Sequence, residues 1–163
     1  MNLILWRHAD AEDLPERASD IDAGDMARAL TQRGRKQAKA MAEWLTARID
    51  PHAQLCVSPA VRAIETAQAL SDQFQIMREL SPGADVSAVL AAAGWPDGPE
   101  GACDTVIVVG HQPTLGRVAS LLLSGAEANW AVRKGGIWWI SNRRREDEAQ
   151  VVLRAVINPD LVG

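Results

Sequence analysis

Cysteine, long apolar runs and an excess of positive charge are what this 163-residue sequence lacks or has little of. The two cysteines, Cys56 and Cys103, form no CxxC pair and have no metal-ligand spacing, so we expect a reducing compartment and no disulfide. No segment approaches the length of a membrane span, and no basic start followed by an apolar stretch marks a signal peptide. These absences predict a cytoplasmic protein without a membrane partner.

The net charge of −4 argues against a broad basic surface for nucleic acid. A short basic run at residues 143–145 is followed at once by acidic residues 146–148, which predicts a solvated turn. The composition, 47% hydrophobic and 23% charged, is typical of a globular protein, and the length fits one domain over residues 1–163. Three tryptophans of the last third lie either in the core, which we favour, or on a partner surface: Trp130, Trp138 and Trp139.

Short apolar runs alternate with helical patterns along most of the chain. The strands are predicted at residues 3–6, 54–57, 74–77, 104–110, 136–140 and 150–156. The helices are predicted after Thr31 as N-cap and at residues 60–71, 86–93 and 113–123, and residues 12–25 are predicted to be a loop. This pattern predicts a single-domain, three-layer α/β sandwich with a mostly parallel central sheet, helices on both faces and antiparallel strands at one edge.

Polar side chains follow three of these strands at the end where open α/β sheets bind ligands. Arg7 and His8 follow the first strand, Arg62 lies in the first turn of the helix after the second, and His111 follows the strand at 104–110. Arginine forms bidentate hydrogen bonds with phosphate, and a helix N-terminus adds partial positive charge. The four residues together therefore predict a site for a phosphoryl group.

Four blocks of the sequence carry a family resemblance. They read LWRHA at residues 5–9, LTQRG at 30–34, VSPAVRAIETA at 57–67 and VGHQPTL at 109–115. In this order they resemble the histidine phosphatase superfamily, whose fold is that of phosphoglycerate mutase. The short length, RHA in place of RHG and the LSPGAD turn at 80–85 are most similar to the SixA branch of phosphohistidine phosphatases.

The resemblance implies a role for each polar residue. His8 would be the nucleophile that accepts the phosphoryl group, Arg7 and Arg62 would bind its oxygens, and His111 would stabilise the transition state. Neutral imidazole is a competent nucleophile, and phosphoryl transfer depends mainly on positioning and electrostatics. Arg28 stands where relatives often carry RPLT, so it either contacts the phosphate or is a surface arginine.

Two further side chains have weaker support. Gln112 follows His111 and is a candidate for substrate binding through its backbone N–H or its side chain. His52 lies after a proline in a loop, matches no motif and is predicted to be a surface residue.

No cofactor and no metal are expected, because arginines and a helix terminus supply the positive field. A metal site formed by His8 with Asp10 and Glu12 is conceivable from the sequence. The two neighbouring arginines would repel a cation there, so we do not favour it.

A general acid is the missing element of the motif set. Many relatives that cleave phosphate esters carry a carboxylic acid on an inserted segment between the Arg62 and His111 blocks. Here that interval is short, and Glu79 and Asp85 are its only obvious carboxylates near the site. Glu79 is either the acid or simply a polar residue beside the core. Imidazole is a far better leaving group than an alkoxide, so a missing acid favours a phosphohistidine substrate.

Three functions remain open at this stage. The leading one is a cofactor-independent phosphatase, a monomer, that acts on a phosphohistidine-bearing protein such as a phosphotransfer domain. The second is a phosphomonoesterase of the same superfamily that acts on small molecules. The third is a module that binds phosphate without turnover, which would have no need for the nucleophile.

Overall fold

The computed structural model describes residues 1–14, 16, 20–99, 104–145 and 148–162. A six-stranded sheet is built from β1 Asn2–Arg7, β2 Gln54–Val57, β3 Gln75–Ile76, β4 Thr105–Gly110, β5 Ile137–Arg145 and β6 Glu148–Ile157. The helices are α1 Ile21–Met26, α2 Gln32–Thr46, α3 Val61–Gln68, α4 Val86–Ala92 and α5 Thr114–Ser124, with 3₁₀ turns at Arg78–Leu80 and Pro159–Leu161.

The strand order is β3-β2-β4-β1-β5-β6. β1, β2, β3 and β4 pair in parallel, while β5 pairs antiparallel with both β1 and β6. The predicted α/β fold with an antiparallel edge is therefore confirmed. Because the parallel strands all end at one edge of the sheet, the residues that follow them meet there.

Helices cover both faces of the sheet, and each face has its own apolar cluster. Leu3 and Leu5 of β1 pack on the side of α4 and α5, whereas Ile4 and Trp6 pack on the side of α2 and α3. All six residues of β4 are buried. This explains why the central strands are continuous apolar runs without alternation.

Helix α2 lies very close to the segment that follows β1. Thr31 is the N-cap, as predicted, and its hydroxyl accepts a hydrogen bond from the Gly34 N–H. The Thr31 hydroxyl also donates to the Asp10 carboxylate at 2.9 Å, and the Thr31 N–H donates to the Asp10 carbonyl at 3.0 Å. A Cβ on Gly34 would lie 1.9 Å from that same carbonyl oxygen, so only glycine fits. The LTQRG block thus anchors the backbone beside His8.

Two predictions about local structure were wrong. The predicted loop at residues 12–25 contains helix α1, because the Asp20 carboxylate accepts a hydrogen bond from the Ala23 N–H and caps it. The predicted turn at 143–148 is shorter, because β5 continues to Arg145 and β6 begins at Glu148; residues 146–147 lie outside the described part. Both strands of this hairpin are therefore longer than the apolar pattern indicates.

The other boundaries and burial predictions differ only in detail. Trp139 is buried, while Trp130 and Trp138 are half-buried and pack against each other with ring centroids 5.8 Å apart. Cys56 is a buried free thiol, and Cys103 lies outside the described residues. Within the described ranges, no helix combines the length and the hydropathy needed to span a bilayer.

We predict that Gly34→Ala lowers the free energy of unfolding by about 1–3 kcal/mol, because the new methyl group forces α2 away from Asp10. Helix propensity alone predicts the opposite sign, a gain of about 1 kcal/mol. Urea denaturation measures the difference, with Lys36→Ala on the exposed side of the same helix as the control. Equal or greater stability of Gly34→Ala would show that α2 does not depend on this close approach.

Candidate active site

Two hydrogen bonds fix the backbone of His8 at the carboxyl end of β1. Its N–H donates to the Gly110 carbonyl at 3.1 Å, and its carbonyl accepts from the Gly135 N–H at 3.0 Å. The side chain is 6% exposed, and its Nδ1 lies 2.8 Å from the Ala9 carbonyl oxygen. Because a carbonyl can only accept, Nδ1 carries the hydrogen in this contact. The neutral ring therefore presents a bare Nε2.

Arg62 contacts that bare nitrogen directly. It lies in the first turn of α3 and is 3% exposed, and its Nε donates to His8 Nε2 at 3.3 Å. Its Nη1 donates to the Asp25 carbonyl at 2.6 Å and its Nη2 to the Asp25 carboxylate at 3.0 Å. The guanidinium is thus fixed between His8 and Asp25.

Asp25 was not predicted as a site residue. Its carboxylate joins two arginines, since the other oxygen accepts from Arg28 Nε at 3.0 Å. Burial alone would raise the pKa of Asp25, but hydrogen bonding to Arg62 and the charges of Arg62 and Arg28 hold it below its usual value. Arg28 also donates to the Glu12 carbonyl at 3.1 Å. Arg28 is therefore connected to the site through its ion pair with Asp25 and does not hydrogen bond to His8.

His111 follows β4 and is 4% exposed, with its ring centroid 5.2 Å from that of His8. Its Nε2 lies 2.7 Å from the Ser58 hydroxyl oxygen, a partner that was also not predicted. Arg7 completes the group, and its Nη1 donates to the Val132 carbonyl at 2.8 Å. Among the described residues, neither His111 Nδ1 nor Arg7 Nε has a hydrogen-bond partner, although both atoms are buried.

Burial keeps both rings of the site neutral. Desolvation, with the charges of Arg62 and Arg7, lowers the pKa of His8 from 6.5 to about 4. Desolvation, with His8, Arg62 and Arg7 as neighbours, lowers the pKa of His111 to about 3. At neutral pH the site therefore holds two uncharged imidazoles among permanently charged guanidinium groups.

The remaining candidate residues lie in other settings. The side-chain amide of Gln112 is already used, since it donates to the Trp130 carbonyl at 2.8 Å and accepts from the Gly116 N–H at 2.8 Å. Its predicted substrate contact is thus restricted to the backbone N–H. Glu79 is exposed on the 3₁₀ turn Arg78–Leu80, and His52 is exposed in its loop.

Two further carboxylates near the site have structural partners. Asp85 caps α4 by accepting from the Ala88 N–H at 2.8 Å, and Asp10 accepts from Lys134 Nζ at 2.6 Å. The hydrogen bond from Lys134 lowers the pKa of Asp10. In the described part of the chain, no group of three histidine, cysteine or acidic side chains has the arrangement of a metal site.

Comparison with known proteins identifies relatives of this chain. The profile of the histidine phosphatase superfamily (branch 1) matches residues 3–84. Phosphohistidine phosphatase SixA of Escherichia coli K12 is 30% identical over 131 residues, which is 77% of this chain and 76% of that protein. An uncharacterized protein of Picosynechococcus is 32% identical over 145 residues, covering 84% of this chain and 82% of its own length.

Solved structures agree with these relatives in fold. The protein histidine phosphatase SixA complexed with tungstate superposes with a TM-score of 0.77 at 24% identity, and each chain is covered completely. The putative phosphohistidine phosphatase SixA of Nakamurella multipartitia gives a TM-score of 0.72 at 27% identity, covering 97% of this chain and 95% of its own.

The lowered pKa values of His8 and His111 predict how stability depends on pH. As pH falls below about 6.5, the unfolded chain takes up protons that the folded site refuses, so the free energy of unfolding decreases. Between about pH 6.5 and about pH 5 we expect each histidine to contribute about 1–2 kcal/mol of this loss. Urea denaturation across this range tests it, and His8→Asn and His111→Asn should each flatten the slope. Slopes equal to that of the wild type would contradict buried neutral rings.

We also predict that Asp25→Asn lowers the free energy of unfolding by about 1–3 kcal/mol, since it removes the negative charge beside buried Arg62. Inorganic phosphate should stabilise this variant more than the wild type, because a bound anion restores the lost neutralisation. Thermal denaturation with and without phosphate measures both effects. Asp22→Asn, on the exposed side of the same short helix, is the matched control. Wild-type stability and an unchanged phosphate response in Asp25→Asn would refute the assignment.

Proposed function

The chain belongs to the histidine phosphatase superfamily and is a phosphatase, and from that premise we propose that it hydrolyses phosphohistidine on a protein through a covalent intermediate on His8. The relative from Escherichia coli bears the name phosphohistidine phosphatase, which supports this choice of substrate. The partner we propose is a phosphohistidine-bearing protein, such as a phosphotransfer domain.

One observation carries the proposal: a histidine nitrogen without a hydrogen lies in a buried site that also contains donors lacking partners. His8 Nε2 is the bare nitrogen, and Arg7 Nε is a buried N–H donor without a partner in the described structure. His111 Nδ1 becomes a second such donor when the Ser58 hydroxyl donates to His111 Nε2. A buried polar group without a partner costs about 1–3 kcal/mol, and a phosphoryl oxygen satisfies such donors.

In the first step, His8 Nε2 attacks phosphorus in line with the bond to the substrate imidazole. A P–N bond to His8 forms while the P–N bond to the substrate breaks, and the substrate histidine, which carries a proton on its other ring nitrogen, leaves as neutral imidazole. Before the reaction, Arg62 Nε donates a hydrogen bond to His8 Nε2. Once Nε2 is bonded to phosphorus, Arg62 Nε donates to a phosphoryl oxygen instead. In the second step, water attacks phosphorus and the P–N bond to His8 breaks; both protons of the water leave with the phosphate as dihydrogen phosphate, and His8 returns to its neutral form.

The protonation states of the nearby carboxylic acids favour this leaving group. Asp25 and Asp10 both have pKa values below their usual values, and each is paired with a cation, so neither holds a proton to donate at neutral pH. Glu79 is exposed and remains the candidate acid for an ester substrate. An alkoxide needs such a proton, whereas imidazole leaves neutral without one. The site is therefore matched to phosphohistidine better than to phosphate esters.

The test is a comparison of substrates in the presence of a chelator. The protein is mixed with a phosphohistidine-bearing phosphotransfer domain and, separately, with simple phosphate monoesters. We expect rapid loss of phosphate from the protein substrate and slow cleavage of the esters. Fast ester cleavage would move the assignment to a small-molecule phosphomonoesterase with an acid such as Glu79. Binding of phosphate without any turnover would move it to a binding module.

The nucleophile assignment predicts that His8→Ala loses all measurable turnover while inorganic phosphate still binds, because the arginines remain. Arg62→Ala should lose both affinity and rate, and removal of one preorganised donor typically lowers the rate about 10²–10³-fold. Steady-state kinetics and phosphate titration separate the two effects. His52→Ala, on an exposed loop, is the matched histidine control. Normal turnover by His8→Ala would exclude His8 as the nucleophile.

A further inference from the structure

A groove of about 480 Å³ is lined by Arg7, the residue before His8, and by residues of α2, of the loop before β5 and of the last 3₁₀ turn. We call it the basic groove and define it by its charged lining residues: Arg7, Asp10, Arg33, Arg133, Lys134 and Asp160. Four cations and two carboxylates line it, whereas the whole chain carries a net charge of −4. The groove is thus locally positive on a protein that is negative overall.

The cations of the basic groove differ in how far they are neutralised. Lys134 Nζ contacts the Asp10 carboxylate at 2.6 Å, so its charge is locally balanced. Arg133 lies 3.5 Å from Asp160, and both side chains are mostly exposed, at 71% and 62%. An ion pair of this kind is worth little in water and exchanges readily for another carboxylate.

Arg33 has no such partner. It is exposed in the first turn of α2 and forms no ion pair with the described residues, although its charge contributes to the lowered pKa of Asp10. The neighbouring Thr31 binds Asp10, which places this end of α2 against the segment that carries His8. Arg33 therefore lies beside the segment that carries His8, and its guanidinium is not held in an ion pair.

The loop of Arg133 and Lys134 is attached to the same segment from the other side. The Gly135 N–H donates to the His8 carbonyl, and the Gly136 carbonyl accepts from the Arg7 N–H. Arg7 is both a wall of the basic groove and one of the proposed phosphate-binding residues. Because Arg7 is shared, groups that flank a phosphoryl group at His8 would lie close to this positively charged groove.

We propose that the basic groove binds acidic side chains that flank the phosphohistidine of the substrate protein, with Arg33 and Arg133 as their partners. This inference rests on the proposed function and adds a specificity element to it. Its cations lie on exposed side chains from separate elements, which suits the surface carboxylates of a protein better than an enclosed small molecule. Complementary charge here speeds association and makes it depend on salt.

The experiment measures binding rather than turnover. Two peptides carry the same triazolyl-phosphonate analogue of phosphohistidine, one flanked by Asp and Glu and the other by Asn and Gln. Fluorescence anisotropy at low salt gives the affinity of each for the wild type and for the double variant Arg33→Gln/Arg133→Gln. The double variant Arg143→Gln/Arg145→Gln removes the same charge from the β5–β6 hairpin and is the matched control.

We expect the wild type to prefer the acidic peptide, and Arg33→Gln/Arg133→Gln to reduce that preference about threefold to tenfold, as expected for two exposed ion pairs. The hairpin control should retain the wild-type preference. Equal affinity for the two peptides, no binding of the acidic peptide, or a preference that survives Arg33→Gln/Arg133→Gln would overturn the inference. The inference would also be overturned if Arg33→Gln/Arg133→Gln weakened the binding of small phosphate esters that carry a second anionic group but left the binding of both peptides unchanged.

Failure of the proposed function is a separate result. It would appear as absent hydrolysis of the corresponding phosphohistidine peptides by the wild type, whatever their flanking residues. The analogue peptides cannot be hydrolysed, so their affinities judge the basic groove independently of catalysis. The hydrolysis of phosphoramidate, which does not reach the groove, should be the same in both double variants.

Discussion

A buried guanidinium beside an uncharged imidazole is the arrangement on which this site depends. Arg62 is almost fully enclosed, and its Nε hydrogen bonds to His8 Nε2. A protonated His8 would have no lone pair to accept this hydrogen and would place two positive charges in contact. Burial, with the charge of Arg62, therefore keeps the His8 ring neutral, while Asp25 neutralises the guanidinium from the other side.

Precise placement of His8 comes mainly from backbone contacts made by distant parts of the chain. β4 binds its N–H, the loop before β5 binds its carbonyl, and α2 lies against the next turn through Gly34. Thr66 of α3 accepts the following N–H, from Ala9, at 3.0 Å. Several residues of the family motifs thus hold the backbone around His8 in place. A substitution of one of these residues should therefore disturb the site by displacing His8.

The sequence predicted the parallel strands well because each is a short, wholly apolar run that ends in a polar residue. It also predicted which residues meet, since parallel strands end at one edge. Asp25 was missed because its partner Arg62 is 37 residues away, and the acidic stretch around it shows no apolar periodicity. Ser58 was missed because a serine before a proline is typical of a turn and gives no sign of a contact with His111. The occupied side chain of Gln112 depends on the position of Trp130, which no local pattern indicates.

Since the Ala9 carbonyl holds Nδ1 of His8, we propose that the ring accepts the phosphoryl group on Nε2. The most direct measurement is the ³¹P–¹⁵N coupling in phosphoenzyme that is labelled with ¹⁵N-histidine, formed with substrate in excess and quenched in alkali, where phosphohistidine persists. The account predicts a one-bond coupling between phosphorus and Nε2 of His8. A one-bond coupling to Nδ1, or phosphorus on any other residue, would contradict it.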